Sequence, residues 1–421
     1  MSQLMNRREL LRKACFGSGM LAMGPLLWAQ SNPASPRNGV PMGMSAKQSN
    51  LANLANTMKN VAVSGDPETI MRIPAACQIR LVAKTHVPPS SNSDYKWHPD
   101  PDGGACFATD DGGWVYVSNS ETKPKGKGGV GAIRFDATGE VVDSYSICQG
   151  THNNCAGGPT PWNTWLSGEE VEDGYIYECD PMGVKPAKKI HALGKFKHEA
   201  AAVDPNTGIV YLTEDEPDGC FYRYRPFQHA HNQPTNFEQG QLEVACLKRK
   251  LTDDTWQLQW RPIENGEPNL TTEQATRKQV KTAQIFKGGE GCWFHHNIVY
   301  FTTKYDNCVW ALDVRTQELI RIYDQTRDQH FQPLLNDVDN LTVSAQGDVI
   351  VAEDGSNMRM VVFNQDAQPF ELVNVQGHSL SEICGPAFSP DGQRLYFSSQ
   401  QGIKGTADDG RTYELSGPFF V

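Results

Sequence analysis

Basic residues are in deficit in this 421-residue chain: 38 Lys and Arg stand against 49 Asp and Glu, a formal net charge of −11. A protein that holds nucleic acid by its phosphates presents a basic face, so no nucleic-acid partner is expected. Long apolar runs are also missing. Only Ala14 to Ala29 is mildly apolar, and Gly17, Gly19 and Gly24 interrupt it. That run is too short and too glycine-rich for a stable membrane span. None of the 11 cysteines forms a CxxC pair, which removes the usual zinc-ribbon and redox spacings. With 38 Gly and 26 Pro the chain is far from a collagen-like or disordered composition. The glycine-rich stretch Asn153 to Trp162 lacks the Gly-Lys-Ser/Thr end of a phosphate-binding P-loop. Its backbone N–H groups could line an anion nest, or its glycines could serve a tight crossing between repeats.

The N-terminus carries a processing signal. Arg7-Arg8 precedes the short apolar core, and Trp28-Ala29-Gln30 ends it. This reads as a twin-arginine export signal over residues 1–30, so the export machinery is an expected partner and the mature protein is expected in the periplasm or secreted. Residues 31–75, rich in Ser, Asn, Pro, Met and Ala, read as a flexible leader with a short helix over Leu51 to Val61. Ordered structure is expected from about Ile79. Ten cysteines remain after the signal, an even number that an oxidising compartment would permit to pair or that could equally be buried as small hydrophobes.

A repeat fills residues 76–421. Six segments share one order: an apolar stretch, a turn with Gly, Asp or Asn, a second apolar stretch with aromatics, and a polar or acidic end. They are 105–121, 160–170, 199–216, 290–304, 339–354 and 384–400. Each reads as a β-hairpin. Most are followed by a third short strand, such as Phe221 to Tyr224 or Arg359 to Phe363. The expected fold is all-β, a six-bladed β-propeller, with residues 227–280 as an insertion over one face.

In a propeller, equal slots of successive repeats converge on the axis. Aligning Val203, Phe294, Val343 and Phe388 places Glu199, Glu290, Asp339 and Cys384 in one slot. Glu121, Glu170 and Glu216 end the second strands, with Glu169, Asp215, Glu353 and Asp354 beside them. Converging carboxylates raise one another's pKa unless a cation compensates them. Ca²⁺ takes ~6–8 oxygen ligands, and a thiolate in the set favours a transition metal at one position. Single acids at hairpin ends also cap turns. His198 is expected in a strand facing away from this slot, and His295 and His296 in a solvated turn.

Residues 154–170 (NCAGGPTPWNTWLSGEE), 194–226, 286–294, 337–355 and 382–400, taken in this order, resemble the PhoX family of exported bacterial alkaline phosphatases. The resemblance implies a six-bladed propeller with Ca²⁺ and Fe³⁺ at its axial end, cleaving small-molecule phosphate monoesters; a monomer is expected. Carried over, it implies metal roles for Glu121, Glu170, Glu290, Asp339, Asn340, Glu353 and Asp354; Glu169, Glu199 and Cys384 join them from the repeat slots. Lys287 and Glu290 are the expected catalytic pair. Three departures stand out. The chain is shorter than the family's large members. Gly288 stands where the family has an arginine, with Lys287 beside it. Ser118-Asn119-Ser120-Glu121 replaces an Asn-His-Glu form, and no cysteine follows it closely, so Cys384 or Cys155 is a candidate iron ligand. The rival readings are a non-catalytic, calcium-stabilised binding propeller and a calcium-dependent lactonase-type hydrolase.

Overall fold

The computed structural model describes residues 48–420, apart from 231–232, 329–332, 356 and 365–366. The expected export signal and the first part of the leader lie outside the described residues. A one-turn helix, α1 (Leu51–Leu54), is followed by β1 (Met58–Val63), β2 (Asp66–Pro74) and β3 (Gln78–Lys84). Residues 48–75 are thus ordered where a flexible leader is expected. The reason is tertiary: Leu51, Leu54, Val63, Met71 and Ile73 are buried in a cluster with Met360, Val373 and Phe397 from the far end of the chain. That apolar burial offsets the ordering entropy of a polar segment.

Antiparallel sheets of alternating β-branched and aromatic residues fill the rest. The first is β4 (Pro101–Ala108), β5 (Trp114–Ser120), β6 (Gly128–Phe135) and β7 (Val141–Thr151). The second is β8 (Asn154–Pro159), β9 (Trp165–Glu169), β10 (Ile176–Cys179) and β11 (Lys188–Ile190). The third is β12 (His198–Val203), β13 (Val210–Glu214), β14 (Phe221–Pro226) and β15 (Gly240–Thr252), extended by β16 (Thr255–Pro262). The fourth is β17 (Gly289–His295), β18 (Ile298–Thr303), β19 (Cys308–Asp313) and β20 (Glu318–Asp324). The fifth is β21 (Val338–Val343), β22 (Val349–Glu353), β23 (Arg359–Phe363) and β24 (Pro369–Gln376), with β2 and β1 added at its outer edge. The last is β25 (Ile383–Phe388), β26 (Arg394–Ser399) and β27 (Arg411–Ser416), completed by β3.

The first strands form a closed ring: β4 lies against β8, then β12, β17, β21 and β25 follow in turn, and β25 returns to β4. The arrangement is propeller-like. Its core sits in the wedges between neighbouring sheets. Phe107, Val115 and Val117 of the first sheet pack with Trp165 and Cys179 of the second, and Tyr300 and Val309 of the fourth with Val349 and Val361 of the fifth. Inner strands meet neighbours on both faces, and small residues stand where they approach closely, as in Ala200 to Ala202 of the wholly buried β12. The glycine-rich stretch is one such strand. A Cβ on Gly157 would meet the Leu166 carbonyl oxygen at 1.8 Å, and one on Gly158 the Ala201 oxygen at 1.7 Å. Backbone proximity explains these glycines without an anion nest or a crossing.

The segment 227–280 does not simply overlie one face. Its long β15 is the fourth strand of the third sheet, and β16 beyond it pairs with β20, so the third and fourth sheets join at their outer edges. No helix among the described residues is long and apolar enough to cross a membrane.

Candidate metal centre

The centre is produced by one local irregularity repeated around the ring. Every inner strand departs from regular pairing near its start: between Pro101 and Gly104, Asn154 and Gly157, His198 and Ala201, Gly289 and Cys292, Val338 and Leu341, and Cys384 and Ala387. Such bulges re-aim side chains. The residues that open these irregularities are Asp102, Cys155, Glu199, Glu290, Asp339 and Gly385, in chain order, and all are buried; Cys384, expected in this slot, stands one residue before it and pairs with Ser398. Directly after each second strand stand Glu121, Glu170, Asp215, Lys304, Asp354 and Gln400. Directly before each first strand stand Asp100, Asn153, Lys197, Gly288, Asp337 and Glu382. Side-chain and backbone bonds lock the neighbouring strands in place. Asn119 donates to the Cys155 and Ala156 carbonyls (3.1 and 2.7 Å), Thr213 to that of Glu290 (2.6 Å) and Thr302 to that of Asp339 (2.6 Å).

Three groups result whose ligand atoms lie within 4.8 Å of one another: Asp102, Glu121 and Cys155; Cys155, Glu170 and Glu199; Glu199, Glu290 and Asp339. They share members and so form one continuous arc. Amides interleave it. Gln400 Nε2 donates to Asp102 Oδ2 and Glu121 Oε2, both at 2.7 Å, and Asn153 Nδ2 to Glu121 Oε1 and Glu170 Oε2, both at 3.1 Å. Two ammonium groups close the other side. Lys197 Nζ lies 2.9 Å from both Glu170 and Asp215, and Lys304 Nζ lies 2.7 Å from Glu290 and 2.9 Å from Asp215.

The arc is electrostatically strained. Burial, then the charges of Glu290, Glu170, Asp339 and Asp102, push the Glu199 carboxyl far above its usual range. Burial and Asp354 raise Asp339 to about 7, and burial and Glu121 raise Glu170 to about 8. Asp102, Glu290 and Glu382 are raised too, burial leading in each. The Cys155 thiol is likewise held protonated by burial and by Asp102 and Glu199. Asp215 differs: burial raises it, but Lys304 and Lys197 together bring it below the ordinary value. Glu199 is wholly buried; its Oε1 accepts from the Cys155 thiol at 3.3 Å, while Oε2 has no hydrogen-bond partner. A buried carboxylate oxygen without a donor fits a cation. The donor set fits two kinds of ion: hard carboxylate oxygens along the arc, and one thiol among four carboxylates for a transition metal.

Of the residues expected in the metal set, Glu121, Glu170, Glu199, Glu290 and Asp339 are brought together. Asn340 is beside them but turned to its neighbours: its Nδ2 donates to Asp339 and its Oδ1 accepts from Gly385 N–H. Asp354 follows β22 and faces Asp339. Glu169 and Glu353 cap turns instead. Glu169 accepts from the His152 and Tyr175 N–H groups, and Glu353 from those of Asn336 and Arg359 and from the Arg359 guanidinium. In the third sheet Glu214 caps in the same way, so Asp215, not Glu216, holds the axial slot. The Cys384 thiol donates to the Pro101 carbonyl at 2.9 Å. Lys287 is exposed, and the ammonium at Glu290 belongs to Lys304. His198 is buried against Phe196 and away from the arc, as expected, but His295 is half-buried rather than solvated. Sequence reasoning missed Asp102, Lys197, Lys304, Glu382 and Gln400. Counting one residue past each second strand would have found Lys304 and Gln400.

The sequence matches the alkaline phosphatase PhoX family over residues 118–176, 172–317 and 309–402. No curated protein matches it. Among solved structures, PhoX of Pseudomonas fluorescens in complex with vanadate, a transition-state analogue, superposes with a TM-score of 0.70 at 15% identity, covering 86% of this chain and 97% of that one. A gluconolactonase of Xanthomonas campestris, XC5397, reaches a TM-score of 0.43 at 14% identity, over 90% of this chain and 96% of that one. The repeated bulge, the carboxylate arc and the match over most of the chain converge: this chain belongs to the alkaline phosphatase PhoX family.

Proposed function

We propose that this chain is an exported, metal-dependent phosphoric-ester hydrolase, that its ring of sheets is a six-bladed β-propeller, and that residues 1–30 direct export through the twin-arginine pathway. The observation that carries the reading is the arc of buried carboxylates around the Cys155 thiol, with Glu199 Oε2 left without a donor. In this reading Asp102, Glu121, Cys155, Glu170 and Glu199 would hold a transition metal such as Fe³⁺, and Glu199, Glu290, Asp339, Asp354 and Glu382 would hold Ca²⁺. Cations held there supply Lewis-acid neutralisation of charge that develops on the transferring phosphoryl oxygens.

The chain's own residues do the rest. The inner positions are closed to solvent, whereas Glu121, Glu170 and Asp354 are half-buried, so the centre opens toward one end of the ring. At that end Lys197 and Lys304, with side chains 26% and 25% exposed, present positive charge to an anionic ester. Gln400 and Asn153 hold the half-buried carboxylates in place through their amides. Glu290, fixed by Lys304, is positioned to orient the reacting group.

The test is hydrolysis of p-nitrophenyl phosphate and its bis-ester by the metal-loaded protein across pH 6–11, beside a δ-lactone. Ester turnover that chelator abolishes supports the reading. Lactone turnover without ester turnover, or no turnover by a protein that binds its metals, overturns it.

A further inference from the structure

The slot after the second strand holds a carboxylate in four sheets, Glu121, Glu170, Asp215 and Asp354, and a neutral amide in the sixth, Gln400. Only the fourth sheet places a cation there. Lys304 follows β18, and its ammonium lies between Glu290 and Asp215, whose side chains are each 3% exposed. The strand holds it in that position: Lys304 N–H donates to the Gly288 carbonyl at 2.8 Å. Gly288 itself, at φ +66°, leaves space for the Tyr305 ring and the lysine stem, since a Cβ there would come within 2.6 Å of Tyr305 Cδ2 and 2.9 Å of Lys304 Cγ. A second ammonium, Lys197, lies 2.9 Å from the same Asp215 oxygen, Oδ2. Asp215 is therefore supplied with charge from two lysines, while Glu199, on the neighbouring strand of the same sheet, has an oxygen with no donor.

We propose that the Lys304 ammonium is a tethered cation that takes one position of the metal centre, so that the corner between Glu290 and Asp215 binds no metal ion and divalent ions bind only along the rest of the arc. The inference rests on the metal-centre reading above and concerns how many ions the centre takes. The ammonium contributes one fixed positive charge at a corner where a hard divalent cation would otherwise supply it. Without it, Glu290 loses the ammonium beside it and Asp215 keeps only that of Lys197, an imbalance that a cation relieves.

The test compares Ca²⁺ uptake by chelated and dialysed wild type, Lys304→Ala and Lys304→Arg, read by elemental analysis and by calorimetric titration. Lys304→Ala is expected to take up one more equivalent per chain than wild type, and Lys304→Arg the same number. A folded Lys304→Ala with the wild-type number overturns the proposal. Should Lys304→Ala fail to fold, Asp215→Asn decides with the lysine in place: unchanged stoichiometry supports the tethered cation, and loss of one equivalent overturns it. A wild type that binds no cation overturns the metal-centre reading itself; a wild type that binds cations, with no gain in Lys304→Ala, overturns only the role of Lys304.

Discussion

Glu199 gathers the opposing demands of the site in one side chain. It is wholly buried, faces Glu290, Glu170, Asp339 and Asp102, and keeps one oxygen without a donor. Without metal such carboxyls stay protonated in the fold and ionise in the unfolded chain. A raised native pKa means the native state binds the extra proton, so stability falls as pH rises from the ordinary carboxyl range near 4 to the native values, about 7 for Asp339 and about 8 for Glu170. Thermal melts of the chelated protein should therefore give a lower Tm at pH 8 than at pH 5, and Ca²⁺ should raise Tm more at pH 8. Glu199→Gln removes the charge but keeps the shape. It should raise the Tm of the chelated protein at pH 8 and diminish the gain from Ca²⁺; a variant that melts like wild type in both states would show that Glu199 is not a ligand. Glu199, Glu290 and Asp339 were legible because three hairpins place them four residues before an apolar residue that starts the turn. Cys155 was legible only as one of two candidate thiols, because its glycine-rich strand lacks the bulky residues that mark a strand, and Asp102 was not, because two glycines follow it ahead of the apolar residues of β4. Lys304 was hidden by its charge, since a search for converging acids passes over the slot where a lysine replaces one.

At the scale of strands, β8 depends on having no side chains at Gly157 and Gly158. Gly158→Ala would drive a methyl into the Ala201 carbonyl of β12. The expected cost is at or above the upper end of the ~1–3 kcal/mol typical of overpacking, read from the shift of the denaturation midpoint, and metal uptake should weaken with it because Cys155 is on the same strand. A second contact holds the sixth sheet to β2 at the outer edge of the fifth. Arg411 of β27 is 1% exposed and binds Asp66 at 2.6 and 2.7 Å, Thr69 at 3.1 Å and Asp409 at 3.2 Å. Arg411→Met leaves Asp66 buried without its charge partner and should cost about 3–5 kcal/mol, seen as a lower urea midpoint. Double substitution with Asp66→Leu should recover part of that loss. The repeat and its hairpins were readable from turn chemistry. The order in residues 48–75 was not, because β1 to β3 are held by partners more than 300 residues away, as in the Asp66–Arg411 pair with its separation of 345.

For the whole molecule, the acidic balance of the sequence gains a location. Much of the excess negative charge that burial makes costly converges at one end of the ring, so cation binding and folding are linked: an ion that binds the native state and not the unfolded chain stabilises it by mass action. A chelator should lower Tm, and the loss should grow with the number of ions that elemental analysis finds in the native protein. The ring also fixes an order of events during synthesis. Because β3, made early, becomes the last strand of the sheet that contains β27, a growing chain carries an unpaired edge until residues near the C-terminus have emerged. The first and sixth inner strands, β4 and β25, meet only then. A nascent chain paused before β25 therefore lacks the contact that closes the axis, so the complete metal centre can only be a product of the finished polypeptide.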